Sequence, residues 1–253
     1  MFVDEVNQSN AIPNLSGGSA GRVNFNPSAA GDYLTNESYK SLRTNLFFCG
    51  MDIKVILLTS CRESEGKSTV SAELAKNLAE AEKKTLFIDA DMRKSLLQPR
   101  NLKQYNHKGL SEFLSGQADI GDVLYNTQDP DFDVIFSGRF PPNPVELLGS
   151  TRFATFIQNM RNIYDYIIID SPPLGSVIDA AVIAPVCDGT IMVISPGTVS
   201  SSEAVEVKNQ LEKSGCRILG AILNDINGKR TKHYKKYYKK YALPAPGKKK
   251  RPR

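Results

Sequence analysis

Thr59-Ser60-Cys61-Arg62-Glu63-Ser64-Glu65-Gly66-Lys67-Ser68-Thr69 is the stretch on which the reading of this chain turns. It follows an apolar, β-branched run at 53–59 and precedes Val70, Leu74 and Leu78, which repeat at helical spacing. A strand, a loop and a helix in that order turn the loop amides and the first helical turn toward one point, with the positive end of the helix dipole behind them. Phosphate oxygens fill such a point. Lys67 then reaches between the β- and γ-phosphates of a nucleotide, Ser68 ligates Mg2+ through its hydroxyl, and Thr69 reaches the α-phosphate. Arg62, Glu63, Ser64, Glu65 and Gly66 complete the cradle. Two positions depart from the glycine-rich pattern. Cys61 stands where the first glycine is usual, and Ser64 stands where a glycine would relax a positive φ. Cys61 reads as a small buried thiol rather than a redox switch.

Outward from this loop, the alternation of strand and helix continues. Short β-branched runs occur at 53–59, 85–88, 132–136, 166–169, 190–194 and 218–223, with helical patterns between several of them. One of these patterns carries Ala204, Val207 and Leu211 and closes at Gly215, a residue suited to a helix end. Continuous apolar strands between amphipathic helices predict an α/β fold, a mostly parallel sheet flanked by helices on both faces. Ligands of such sheets bind at the carboxyl ends of the strands. Residues 1–32, rich in Asn, Ser, Gly and Pro, read as a mobile leader, 33–228 as one domain, and 229–253 as a basic, tyrosine-rich tail. A helix is predicted after Asn36, with Tyr39, Leu42 and Leu46 on one face and Glu37, Lys40 and Arg43 climbing its flank.

Two strand ends carry acid. Leu86-Phe87-Ile88 runs into Asp89-Ala90-Asp91, whose two carboxylates are expected on one side of the strand, and the run at 166–169 ends in Asp170. Three carboxylates after apolar strands, beside a phosphate loop, read as an Mg2+–nucleotide site in which Asp170 holds the ion through water. Asn224, after the run 218–223, either reads the nucleotide base through its amide or forms a turn with Asp225.

Composition narrows the classes. Apolar residues make up 41% and charged residues 23%, which excludes wholesale disorder. No run of eighteen apolar residues predicts a membrane-spanning helix, and Asp4 and Glu5 precede no apolar stretch of a secretory signal. Cys49, Cys61, Cys187 and Cys216 lie far apart, without metal or redox spacing, which fits a reduced, cytoplasmic compartment. The net charge of +5 hides an asymmetry: residues 229–253 hold 12 Lys/Arg and no acid, leaving 20 basic against 27 acidic residues elsewhere.

Within that tail, Tyr234, Tyr237, Tyr238 and Tyr241 are interleaved with Lys235, Lys236, Lys239 and Lys240. Three readings stand side by side. One is a basic helix on an anionic membrane or nucleic acid, one a solvated tail, and one a cluster of phospho-acceptors. The third has an electrostatic consequence. Lys229 to Tyr241 carries seven positive charges, and four phosphotyrosines would supply roughly −6 to −8, cancelling or reversing the local charge.

The residues together resemble the cytosolic bacterial tyrosine kinases of capsule and exopolysaccharide clusters, a family of P-loop proteins with deviant Walker A, A' and B motifs. The resemblance spans roughly residues 33–241. It rests on Glu37-Ser38-Tyr39-Lys40-Ser41-Leu42-Arg43, the phosphate loop, Asp89-Ala90-Asp91-Met92-Arg93 and Pro141-Pro142-Asn143-Pro144-Val145-Glu146-Leu147-Leu148. Asp170-Ser171-Pro172-Pro173, Asp179-Ala180 and the tyrosine-rich end complete it. The family implies ATP and Mg2+ as cofactors, autophosphorylation of the tail in trans, and phosphorylation of polysaccharide-synthesis proteins. It further implies a transmembrane activator of the polysaccharide co-polymerase type that recruits the kinase to the inner face of the membrane, and a cognate tyrosine phosphatase. A ring-shaped oligomer is implied through the Glu37, Lys40, Arg43 flank; no nucleic acid is expected as a partner. Lys67, Asp89, Asp91 and Asp170 are the catalytic set that the resemblance carries over, with Ser68, Asp91 and Asp170 around the metal. This chain has Lys40 where an arginine is usual and Glu63-Ser64 where Pro-Gly is usual. Two other readings remain open here: a positioning or partitioning ATPase, in which Arg62 would reach across a dimer to the partner's nucleotide, and a nucleotide-gated scaffold without turnover.

Overall fold

The computed structural model describes residues 20–25, 33–95, 97, 108–128 and 130–225, so the four tail tyrosines lie outside the described residues. Strands β1 (Gly21–Val23), β2 (Val55–Ser60), β3 (Thr85–Asp89), β4 (Leu124–Thr127), β5 (Asp133–Ile135), β6 (Tyr166–Asp170), β7 (Gly189–Ile194) and β8 (Ile218–Leu223) form one sheet. Its order is β1-β4-β5-β3-β6-β2-β7-β8, and every neighbouring pair is parallel except β4 with β5.

Helices α1 (Tyr33–Phe47) and α2 (Lys67–Ala79) cover one face. The other face is covered by α3 (Leu110–Leu114), α4 (Ile120–Val123), α5 (Pro144–Leu148), α6 (Thr151–Met160), α7 (Asp179–Ile183) and α8 (Ser201–Lys213). The central strands show why their apolar runs are continuous. Val55 and Leu57 of β2 enter the core under α6 to α8, whereas Ile56 and Leu58 enter the core under α1 and α2. Leu86 and Ile88 of β3 oppose Phe87 in the same way, as do Ile167 and Ile169 of β6 oppose Ile168. With both faces covered, alternation with polar residues has no place in these strands.

Asp188 fastens the amino-terminal edge. Its Oδ2 accepts from the amides of Lys54 and Val55 at 2.8 Å each, and its Oδ1 pairs with Arg161 at 2.5 Å. The starts of β2 and β7 are thereby tied, which sets the register that brings their carboxyl ends together.

Two features depart from the sequence expectation. Residues 20–25, expected in a mobile leader, contain edge strand β1. Val23 is 2% exposed, and Phe25 packs within 5.7–6.2 Å of the rings of Phe87, Phe132 and Phe136. Strand β4 was not anticipated either: Leu-Tyr-Asn-Thr has no apolar run, and its pairing with β5 supplies what its propensity does not.

Candidate active site

Strand β2 delivers the loop to the carboxyl edge of the sheet between β6 and β7. Ser64 adopts a left-handed φ of 63° and Gly66 one of 79°, so the conformational demand inferred at Ser64 is real and is met without a glycine. Gly66 has a second constraint, because a Cβ there would lie 2.0 Å from Asn224 Nδ2. The loop is braced from beneath by Glu65, which is 2% exposed. Its Oε2 accepts from the Arg62 amide at 2.7 Å and its Oε1 from the Ser195 amide at 3.0 Å, linking the loop to the end of β7. Asn224 Nδ2 donates to the Glu65 carbonyl at 2.9 Å, which places Asn224 against the loop at the end of β8, and Asp225 after it has a left-handed φ of 52°.

A cleft of about 430 Å3 opens over this loop, lined by residues 62–69 together with Asp91, Arg93, Lys94 and the Pro172-Pro173 turn. At its floor, Lys67 Nζ lies 2.8 Å from Asp170 Oδ1 and 3.0 Å from Ser68 Oγ. Ser71 Oγ, one helical turn beyond Lys67, sits 2.9 Å from the same Asp170 oxygen. Asp170 Oδ2 is buried and has no hydrogen-bond partner among the described residues. An orphaned carboxylate oxygen costs free energy unless a cation or water reaches it. One hydroxyl (Ser68) and one such oxygen suit Mg2+, a hard ion that keeps waters and shares phosphate oxygens. Among the described residues no group of three or more His, Cys, Asp or Glu forms a self-sufficient metal cage, so the protein alone does not enclose the ion.

Asp89 and Asp91 do not face the same way. β3 ends at Asp89 and the chain turns at once, with the Met92 amide bonded to the Ala90 carbonyl, so the two-residue alternation stops there. Asp91 lines the cleft, its Oδ1 accepting from the amides of Arg93 at 3.2 Å and Lys94 at 2.9 Å. Asp89 is wholly buried behind it, in register with Asp170 and bonded to Ser95. Burial, with the neighbouring Asp170 charge adding, pushes the Asp89 carboxyl up to about 7. Arg93, also on the cleft, is held by Asp179 at 3.0 Å.

Arg62 and Glu63, at the rim of the cleft, are each held by an ion pair within the chain. Arg62 forms a two-bond fork on Glu203 of α8, at 2.5 and 2.9 Å, and donates to the Thr198 carbonyl at 3.1 Å. The guanidinium required to cross to a partner in an ATPase dimer is thus engaged within its own chain. Glu63 pairs with Lys94 at 2.6 Å. Sequence reasoning missed Glu203, Ser71 and the bracing role of Glu65. Only Ser71 had a signal, four residues after Lys67 on the same helix face. Cys61 is buried as expected, and burial, with Glu65 nearby, raises its thiol to about 11. On α1, Lys40 pairs with Glu37 at 2.8 Å, while Arg43 Nη1 donates to the Asn77 carbonyl of α2 at 2.7 Å. A larger apolar groove of about 630 Å3 between α7 and α8 lies beside the cleft, but none of these carboxylates lines it.

A phosphate cradle at the carboxyl edge of a parallel sheet, with acid at the ends of the two strands beside it in the order β3-β6-β2, defines a nucleotide-binding P-loop domain. The AAA domain family matches residues 53–220. The chain is 46% identical over 193 residues to tyrosine-protein kinase CpsD of Streptococcus agalactiae, covering 76% of this chain and 84% of that one. It superposes on the kinase domain of the Escherichia coli tyrosine kinase ETK with a TM-score of 0.70 and 36% identity, over 75% and 74% of the two chains. A more distant likeness, at TM-score 0.58 and 26% identity over 69% and 71%, is to the septum site-determining protein MinD of Pyrococcus horikoshii in complex with Mg-ADP. The chain belongs to the bacterial tyrosine-protein kinases, within the AAA domain family. Among the described residues no helix is long and apolar enough to cross a membrane.

Proposed function

We propose that this chain transfers the terminal phosphoryl group of ATP to tyrosine hydroxyls, first those of Tyr234, Tyr237, Tyr238 and Tyr241 on a neighbouring copy, and that it regulates capsular or exopolysaccharide synthesis. The observation that carries this reading is a cleft lined by Lys67, Ser68 and Asp91 beside amides braced by Glu65, with Lys67 held at 2.8 Å by the buried Asp170. Lys67 and the loop amides bind the phosphates, and Ser68 with Asp170 holds Mg2+, which supplies charge neutralisation when bound. Asn224 stands at the loop where a base amide contact is within its chemistry. The 46% identity to a tyrosine-protein kinase, against 26% to MinD, favours the kinase over a partitioning ATPase.

Asp91 orients the acceptor hydroxyl rather than deprotonating it outright. Tyrosine and aspartate ordinarily titrate near 10 and 3.9, so full ground-state transfer is uphill by roughly 8 kcal/mol. A loose phosphoryl transition state needs little deprotonation at first. Asp89, buried and away from the cleft, holds Asp91's backbone through its hydrogen bond to the Asp91 amide at 3.1 Å. The protein works in the cytoplasm at the inner membrane face, with a transmembrane activator, a ring built through α1, polysaccharide-synthesis proteins as substrates and a phosphatase that resets the tail.

The test is mass spectrometry after incubation with Mg·ATP, with and without the cytosolic segment of the activator. Phosphate on the tail tyrosines that disappears in Lys67→Met is the expected result. ATP hydrolysis with unmodified tyrosines would contradict it.

A further inference from the structure

Among the described residues four cations line the cleft, and each is paired with a carboxylate of its own chain. Asp170 holds Lys67, Asp179 holds Arg93, Glu203 holds Arg62 and Glu63 holds Lys94. They differ in what release requires. The side chains of Asp170 and Asp179 are each 1% exposed, so removing their cations would strand a buried anion. Arg62 is fixed by its fork and by the Thr198 carbonyl. Lys94 and Glu63 share a single contact between side chains 65% and 56% exposed, the kind of ion pair that adds almost nothing to stability. Lys94 is therefore the cleft cation whose partner is exchanged most cheaply. Its root is nevertheless placed, because the Lys94 amide donates to Asp91 Oδ1 at 2.9 Å. The side chain leaves from the acceptor end of the cleft and crosses to the phosphate loop. An acid in a phosphate cradle also repels an anion, unless a cation mediates between them.

We propose that Lys94 is a second phosphate-binding lysine, exchanging between Glu63 and the terminal phosphate of a nucleoside triphosphate, and that this pair sets the preference for triphosphate over diphosphate. The inference rests on the nucleotide reading of the cleft. The terminal phosphate must meet the acceptor hydroxyl at Asp91, which is the end where Lys94 is rooted. A diphosphate leaves that end without the charge that draws Lys94 off Glu63, so transfer itself returns Lys94 to Glu63 and favours exchange of the product.

The test is binding of the Mg2+ complexes of the β,γ-imido triphosphate and of ADP to the full chain, by calorimetry. Lys94→Met is expected to weaken the triphosphate about tenfold, the loss of one charge-assisted contact, and ADP by less than about twofold. Lys94→Arg restores most of the difference, and Glu63→Gln tightens the triphosphate. An unchanged ratio of the two affinities in Lys94→Met, or weaker triphosphate binding in Glu63→Gln, overturns the proposal. Absence of any nucleotide binding by the unaltered chain overturns the nucleotide reading along with it.

Discussion

Ser64 carries a left-handed backbone in a residue with a Cβ, next to Glu65, which is buried and bonded to the amides of Arg62 and Ser195. Such a conformation costs of order 1 kcal/mol and persists where the surroundings over-determine it. Ser64→Gly removes the steric cost but adds chain entropy to the unfolded state. The expected net is stabilisation by about 0.5 kcal/mol in urea unfolding, and a destabilised variant would contradict the strain argued here. This position was legible because the loop pattern demands glycine there. Arg62 was legible only as a loop residue: its partner Glu203 lies 141 residues away and is one acid among many on a helix surface. Spacing along a chain carries no information about such a contact, and the opposed directions of Asp89 and Asp91 were hidden for a related reason, since the strand ends between them.

At the scale of elements, β2, α2, β3 and β6 were readable because burial on both faces forces unbroken apolar runs and because the loop marks the strand–helix junction. β1 was not readable. Three residues, Gly-Arg-Val, carry no period, and the strand exists because β4 and the aromatic cluster around Phe25 receive it. Phe25→Ala, half-buried among three rings, should cost about 2 kcal/mol in chemical denaturation. A change below a few tenths of that would return residues 20–25 to the leader.

The clasp at Asp188 predicts a pH dependence. Burial alone would raise its carboxyl, but Arg161 and the amides of Val55 and Lys54 more than offset this and hold it below its usual value. A depressed carboxylate contributes stability that is present above the ordinary value of about 3.9 and is lost as pH falls through the folded value. Urea midpoints of the unaltered chain should therefore fall more steeply below about pH 4 than those of Asp188→Asn, which is less stable near neutrality but flatter in acid. Parallel acid limbs would contradict the clasp.

For the whole molecule, the sheet gathers its chemistry at one edge. β2 brings the cradle, β6 brings Asp170, β3 leads to Asp91, and β8 delivers Asn224 to the loop just before the described chain ends at Asp225. On the proposed function, the acidic body and the basic tyrosine-rich sequence at 229–253 would be donor machinery and acceptor in one chain, and phosphorylation would erase the charge difference between them. All of this depends on a nucleotide seated on the β2–α2 loop. Calorimetric titration of the full chain with Mg·ATP tests it most directly. Saturable binding of one nucleotide per chain, weakened at least about tenfold in Lys67→Met by loss of a buried charged contact, is the predicted result. No uptake at millimolar nucleotide, or uptake indifferent to Lys67, would contradict it.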